Sequence, residues 1–295
     1  MIARYLFLTL AILLFAVPLI AGSDREFDAH WHDGKAEMNG YRLTVTRYGQ
    51  ERDGAAVLVY VTEPFSESKR VKVDDWQKDP DDTFDALKLN LIRDFQTGIY
   101  DYNTMVSVFA RSMDFTPVKV TFTSSEWCGH VYEELLFYPD RIRGHCYSYF
   151  ENESGPRDIG VVEGGVSEDN LFILLRGLRG DYLEPGAKKE ILMLPSVYFG
   201  RLSHRTPDWV KTEIKRRKKT TTIKVPAGKF KTMVYEVKTA DGRKGQFYIE
   251  DHYPHRVIRW EMSPDVKAEL TGSERLQYWR LNRNGNESYL EKLGM

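Results

Sequence analysis

The chain has 295 residues, in which 42 lysines and arginines are balanced by 43 aspartates and glutamates, so its formal net charge is −1. This balance argues against a sequence-wide attraction to nucleic acid or to an anionic membrane. The chain contains 17 tyrosines, 15 phenylalanines and 6 tryptophans, and aromatic residues favour strands over helices. We therefore expect a mainly β protein that does not bind nucleic acid.

The first 23 residues have the layout of a secretory signal peptide. Arg4 supplies an early positive charge, an apolar run covers 5–21, and small residues at 21–23 precede a polar stretch. The run is about 17 residues long, near the lower limit for crossing a bilayer, and Pro18 interrupts it. We expect cleavage after Ser23 and export to the periplasm or cell envelope, with an uncleaved N-terminal helix as the alternative. Because no cysteine lies near this boundary, we do not expect a lipoprotein anchor.

The remainder of the chain is a succession of short alternating segments separated by turn residues, a pattern that predicts an antiparallel meander. Segments of this kind lie at 41–48, 55–61, 87–91, 99–109, 118–122, 126–137, 141–150, 220–225, 230–237, 245–250, 256–262 and 275–281. We expect a single extended β domain over 24–295, with a possible subdivision near 152–165. Its fold would be a curved antiparallel sheet, as a half-barrel or open barrel, with one or two short helices.

Two stretches of the second half predict helical interruptions of the sheet. The acidic pair at 168–169 precedes the apolar run 171–175, as at a helix start, and Gly177 or Gly180 would end that helix. Residues 207–218 fit a short basic helix or, equally well, a strand that leads into the next segment.

The only two cysteines, Cys128 and Cys146, lie on two predicted strands joined by a turn. In an exported chain an isolated pair is most simply one disulfide, and the hairpin would bring the two strands together. Two free buried thiols are the main alternative. A redox pair is disfavoured because the spacing is not C-x-x-C.

Three elements of the second half together resemble an uncharacterised family of bacterial exported proteins. They are Val-Pro-Ala-Gly-Lys-Phe at 225–230, the Asp241-Gly242 hairpin turn, and Tyr-Pro-His-Arg-Val at 253–257. That family is similar in architecture to periplasmic lipoprotein carriers, in which a strongly curved antiparallel sheet forms a half-barrel over one or two helices. The resemblance covers about 70 residues and bears on fold more than on function. It implies an apolar cavity of the kind in which carriers hold lipid chains, without naming a ligand.

No motif of the chain predicts a catalytic residue, a cofactor or a metal site. His30 and His32 form an H-x-H pair that a strand would place on one face, but the pair lies close to the signal boundary. His252 and His255 are more simply placed in a turn around Pro254. The sequence contains no G-x-S-x-G, H-E-x-x-H, P-loop or G-x-G-x-x-G element.

The sharpest charge feature is a basic strip in the second half. It consists of Lys211, Lys215, Arg216, Arg217, Lys218 and Lys219. The strip could hold anionic lipid headgroups or an acidic partner, at about 1 kcal/mol per residue near a charged membrane. The alternative is a solvated face balanced by acids such as those at 74–75 and 79–82.

These features favour an exported, non-enzymatic envelope protein that binds a lipid, an acyl chain or an envelope partner on a concave apolar sheet face. A concave face filled by the protein's own side chains would argue against the ligand. An exposed apolar patch in place of a cavity would favour the first alternative, an interaction module without a small ligand. The second alternative, a periplasmic hydrolase, requires a histidine and a carboxylate to meet a serine or a metal in one cleft.

Overall fold

The computed structural model describes residues 22–263 and 266–295, and these residues form one large sheet of sixteen strands. Most of the predicted signal segment lies outside the described residues. The strands are β1 (Ala36–Arg47), β2 (Gln50–Ser66), β3 (Thr83–Thr97), β4 (Tyr100–Arg111), β5 (Pro117–Glu126), β6 (Gly129–Phe137), β7 (Arg141–Ser148), β8 (Gly155–Gly160), β9 (Val166–Ser167), β10 (Lys188–Leu194), β11 (Val210–Arg216), β12 (Thr221–Val225), β13 (Gly228–Thr239), β14 (Lys244–Glu250), β15 (Val257–Ser263) and β16 (Val266–Leu276).

Strand β1 lies at the centre of the sheet, between β2 and β16, and the two halves of the chain form a wing on either side of it. One wing runs from β2 to β8 in chain order, and the other runs from β16 back to β9 with β12 paired to β13. Neighbouring strands are antiparallel except for the short parallel pair of β9 and β10. The sheet is curved and does not close, so the predicted mainly β half-barrel is confirmed.

Tight turns join most of the long strands, as the alternating pattern predicts. Tyr48 and Gly49 both have positive φ in the two-residue turn between β1 and β2, the conformation that matches the twist of a hairpin. The predicted Asp241-Gly242 turn joins β13 to β14. Pro226 and Ala227 turn the chain from β12 into β13, where Gly228 has a φ of 136°. The Val-Pro-Ala-Gly-Lys-Phe stretch at 225–230, one of the three elements that carry the family resemblance, therefore forms a hairpin.

Three short helices accompany the sheet: α1 (Gly22–Trp31), α2 (Leu171–Leu174) and α3 (Val197–Ser203). The predicted helix start at 168–169 is a 3₁₀ turn over 168–170 that continues into α2, and Gly177 then turns the chain with a φ of 62°. Residues 210–216 form strand β11, so the strand alternative holds for that region. Among the described residues, no helix is both long and apolar enough to cross a membrane.

The C-terminal residues lie on the outer, convex face of the sheet, as 3₁₀ turns over 278–280 and 286–293. Gly40 and Gly272 are partners across β1 and β16, and a Cβ atom on Gly40 would come within 2.1 Å of the Leu293 carbonyl oxygen. Two facing glycines thus let the segment approach the sheet closely enough to bury Leu293, whose carbonyl also accepts a 2.5 Å hydrogen bond from Thr271.

Candidate functional site

The concave face of the sheet is covered by the protein's own segments. Helix α1 places Phe27 and Trp31, four residues apart and so on one helix face, into the core, where both are fully buried. The Thr62 hydroxyl of β2 donates a 2.6 Å hydrogen bond to the Trp31 carbonyl, and the Trp31 indole donates to the Tyr253 hydroxyl at 3.2 Å. Helix α1 therefore fills one part of the groove that an acyl ligand would need.

Helix α2 fills the centre of the concave face. The Phe172 ring packs edge-on against Phe247 and Trp260, at centroid distances of 5.3 and 5.2 Å. The Tyr60 hydroxyl donates to the Phe172 carbonyl at 3.0 Å, which ties α2 to the opposite wing. The concave surface is thus occupied by internal side chains, the arrangement that argues against an open acyl-binding face.

A buried ion pair joins the sheet to the segment after α2. Arg176 donates a 2.8 Å hydrogen bond to Glu37, and neither side chain is more than 1% exposed. The guanidinium also donates to the Pro254 carbonyl and lies 4.3 Å from the centre of the Tyr60 ring. Burial alone would raise the pKa of Glu37, but the charge of Arg176 and hydrogen bonds from His30, Arg176 and Asn39 lower it to about 2. Glu37 is therefore an ion at any ordinary pH.

Between α2, α3 and the sheet there is a residual cavity of about 40 Å³, room for about two water molecules. Phe172, Phe247 and Trp260 form its apolar wall, and the buried guanidiniums of Arg93 and Arg243 form its polar wall. Arg93 stacks on the Tyr198 ring at 4.1 Å, and its Nε and Nη1 atoms have no hydrogen-bond partner among the described residues.

Two buried acids border this cavity, and each has a structural role. Glu168 accepts from Arg243 at 2.8 and 3.0 Å. Asp169 accepts from the Ser196 hydroxyl at 2.5 Å and from the Val197 amide at 3.1 Å, which anchors the start of α3. Burial raises the pKa of both carboxyls, and the partner groups partly offset that effect. The acids hold α2 and α3 against the sheet.

A second cleft of about 40 Å³, beside β7 and α3, contains the one arrangement in the described residues that resembles catalytic machinery. Glu153 accepts from Ser148 at 2.6 Å and pairs with His204 Nδ1 at 2.5 Å. The carboxylate thus lies between serine and histidine, whereas serine catalysis needs the histidine between the other two. Cys146 lines the same cleft, and burial, followed by the nearby Glu133, raises the pKa of its thiol to about 11. Neither nucleophile is activated.

Cys128 and Cys146 do not form the predicted disulfide and are both free. Cys128 lies in the two-residue turn between β5 and β6, where it is exposed. Cys146 is buried on β7, and its partner on the neighbouring strand β6 is Glu133. Five residues of extended chain separate positions 128 and 133, roughly 16 Å, far more than a disulfide spans. The predicted turn at 138–140 does join β6 to β7, but Cys128 lies in the preceding β5–β6 turn instead of on β6, so the two cysteines do not face each other.

The histidine pairs do not form a shared site either. His30 and His32 end a helix instead of lying on a strand, so they point in different directions. His32 contacts Asp85 at 3.0 Å, while His30 lies near Glu37 on the buried side. His255 contacts the Glu250 carbonyl in the loop before β15. No cluster of three metal-binding side chains occurs among the residues described.

Alternation along β11 divides the basic strip. Lys211 and Lys215 are exposed, whereas Arg216 is buried and pairs with Asp181 at 2.6 Å. Arg217 pairs with Glu236, and Lys218 and Lys219 lie exposed in the turn that follows. Glu236 on the neighbouring strand β13 pairs with the strip, whereas Asp74 and Asp75 pair with Lys72 and Lys78 in their own loop. Arg216 is therefore not available to an anionic partner, whereas Lys211, Lys215, Lys218 and Lys219 remain exposed.

The feature that sequence reasoning missed is an aromatic patch at the outer end of β5, β6 and β7. It consists of Trp127, Tyr132, Tyr147 and Tyr149, which are 70, 38, 61 and 67% exposed. Tyr132 and Tyr147 are direct partners across β6 and β7, and the Tyr149 amide bonds the His130 carbonyl, which continues the ladder. Their neighbours Val131 and Cys146 point into the core, so the tyrosines lie on the convex face.

Local contacts fix the orientation of the patch. The Tyr147 ring stacks on His145 at 4.2 Å, and the Tyr149 ring lies directly over Gly129, whose missing side chain leaves it room. The Tyr132 hydroxyl donates to Glu134 at 3.3 Å. Partial burial, and then Glu134 and Tyr147, raise the pKa of Tyr132 to about 12, so its hydroxyl remains a donor. An exposed group of aromatic rings of this kind is typical of a binding surface.

No protein-family model matches the chain, and no curated protein matches it. Two solved structures are detectably similar. A Bacteroides fragilis protein described as exported, with a YmcC-like fold, is 12% identical with a TM-score of 0.22, over 81% of this chain and 95% of that one. A Vibrio parahaemolyticus domain described as an outer membrane lipoprotein-sorting protein domain is 9% identical with a TM-score of 0.21, over 92% and 97%. Values this low transfer neither a fold nor a function to this chain.

Proposed function

We propose that the protein is an exported, non-enzymatic component of the cell envelope that binds an envelope partner through the aromatic patch. Export is supported by the charge, apolar run and small residues of the first 23 positions. The observation that carries the binding role is the exposure of Tyr147 and Tyr149, each more than 60% among the described residues. Large aromatic rings left in water by a folded chain favour a binding role for this face.

The filled concave face supports the same proposal. Trp31 and Phe172 occupy the groove where a half-barrel carrier would need space. The Ser148, Glu153 and His204 contacts have the wrong order for a hydrolase. Of the three functions considered, the interaction module is the one that the exposed aromatic patch supports best.

The test is association with the envelope of the protein's own host. We expect the protein to co-sediment with washed envelopes, and the double variant Tyr147→Ala/Tyr149→Ala to lose affinity roughly tenfold. Trp76→Ala is the matched control, because Trp76 is 53% exposed in a loop remote in sequence from the patch. Equal sedimentation of wild type and the double variant would contradict the proposal.

A second candidate, acyl binding, is favoured by one observation. The 40 Å³ cavity combines an aromatic wall with the buried guanidinium of Arg93, which suits the carboxylate end of an acyl chain, but only if α2 moves aside. Native mass spectrometry of the protein purified from its host envelope tests this role. A co-purifying lipid that is lost in Arg93→Met would support it, and a ligand-free mass would contradict it.

A further inference from the structure

Tyr132, Tyr147 and Tyr149 of the aromatic patch lie in a block of three cross-strand rows on the convex face. Direct partners across β5, β6 and β7 share a face. The rows are Thr121–Glu134–His145, Thr123–Tyr132–Tyr147 and Ser125–His130–Tyr149. Hydroxyl, imidazole and carboxylate groups therefore surround the rings.

No exposed large aliphatic side chain belongs to these strands. Among the described residues, the exposed large aliphatics are Val71, Ile99, Met113, Val161, Leu290 and Met295, and none lies on β5, β6 or β7. A surface that inserts into a membrane or packs on an apolar protein face would be expected to mix aliphatic and aromatic side chains. The patch instead combines flat rings with hydrogen-bonding groups.

The charge of the patch is also close to neutral. The three rows contain no lysine or arginine, and their single carboxylate, Glu134, is paired with Lys119 at 2.6 Å. An anionic headgroup or an acidic peptide would find no free cation among these rows. Charge complementarity therefore favours an uncharged ligand that offers both flat apolar surface and hydroxyl groups.

We propose that the aromatic patch binds a neutral glycan. A pyranose ring has an apolar C–H face that stacks on an aromatic ring, and hydroxyls at its edge that bond to polar neighbours. Tyr147 on β7 and Tyr149 just beyond its end are two residues apart, about 7 Å in extended chain, so adjacent sugar units can each meet one ring. Glu134 and the hydroxyls of Thr123 and Ser125 provide acceptors and donors beside the rings. This inference rests on the proposed function, because it names the partner of the same surface.

The test is native gel electrophoresis with dextran, laminarin or hydroxyethyl cellulose cast into the gel. We expect at least one of these neutral polysaccharides to retard the wild type. Tyr147→Ala and Tyr149→Ala should each weaken binding roughly tenfold, about 1.4 kcal/mol, and Trp76→Ala should not change it. No retardation in any of the three gels, or equal retardation of the wild type and the patch variants, would overturn the inference.

Two further variants separate stacking from simple hydrophobic contact. Tyr147→Phe keeps the ring and should retain binding, whereas Tyr147→Leu keeps apolar surface without the ring and should lose it. If Tyr147→Leu binds like the wild type, the stacking argument is wrong. Vesicles of phosphatidylcholine and phosphatidylglycerol provide a further test. If the protein binds them through the patch and no gel retards it, the glycan proposal is wrong.

The envelope and gel experiments fail independently. If patch variants lose envelope association but no gel retards the wild type, the proposed function stands and the glycan inference falls. If envelope association is unaffected by the patch variants while gel retardation depends on them, the patch binds glycan but the envelope role falls.

Discussion

The concave face of the sheet and the aromatic patch differ in how deeply they bury tryptophan. On the concave face Trp31 is 1% exposed, and in the aromatic patch Trp127 is 70% exposed. Trp31 has a hydrogen-bond partner and packs among Tyr60 and Phe27, whereas Trp127 lies in a two-residue turn. The comparison indicates that the concave face serves stability, and it agrees with the binding role proposed for the patch.

Charged groups follow the same division. Glu37 and Arg176 on the concave side are fully buried and depend on each other, because removal of one would leave the other as an unpaired ion. Lys188 and Glu213 pair at 2.8 Å across β10 and β11 on the outer surface, where water screens both charges. Pairs of the second kind contribute about 0–1 kcal/mol, so the fold depends on the interior pairs.

The largest effect expected from this comparison comes from two tryptophans mutated in the same way. Trp31→Ala should lower the free energy of unfolding by about 3–5 kcal/mol, because it leaves a cavity under α1. Trp127→Ala should change it by about 0.5 kcal/mol or less, because the indole is already in water. Urea denaturation followed by far-ultraviolet circular dichroism measures both values. Similar losses in the two variants would contradict the division between the faces.

A smaller effect, on pH dependence, tests the interior ion pair. The pKa of Glu37 is about 2 in the folded protein and near 4.5 in the unfolded chain, so the pair contributes fully above about pH 5. That contribution, roughly 3 kcal/mol, should be lost as the pH falls toward 2. Glu37→Gln should be the less stable protein at pH 7, and its stability should converge with that of the wild type as the pH falls to about 2.

The quantity to measure is the difference in unfolding free energy between the wild type and Glu37→Gln. Other buried acids change the stability of both proteins in the opposite direction as the pH falls. Glu168 and Asp169 have raised pKa values, so protonation at low pH removes the cost of burying their charge. A constant difference between wild type and Glu37→Gln from pH 7 to pH 3 would show that Glu37 does not titrate as the geometry indicates.

The fold could be predicted from local patterns, because each strand carries its own alternation. Leu87, Leu89 and Leu91 occupy alternate positions of β3, and all three are buried in the hydrophobic core. What fills the concave face could not be predicted. Phe27 and Trp31 give α1 its buried helix face, but nothing local says that this face packs against Tyr60, some thirty residues later.

The placement of the candidate site residues could not be predicted for a related reason. The basic strip is continuous in sequence, but a strand sends alternate side chains to opposite faces, and Arg216 therefore turns inward. The aromatic patch combines residues of the β5–β7 region, and their alignment depends on a strand register that the sequence does not fix. Only the alternation of His145, Tyr147 and Tyr149 was visible in the sequence, and it gives no sign that its face is the exposed one.

The smallest expected effect is a difference between the rates at which the two thiols are labelled. One thiol lies beside the aromatic patch and the other lies in the core. Cys128, exposed in the β5–β6 turn, should react with a thiol reagent at pH 7.5 in the native protein. Cys146 should react roughly 100-fold more slowly than an ordinary thiol, because a pKa of about 11 leaves so little thiolate. Cys128→Ser and Cys146→Ser assign the two rates, and both thiols should react quickly in urea without a reductant. If neither reacts until a reductant is added, the cysteines are bonded, and the register that separates them across β6 is wrong.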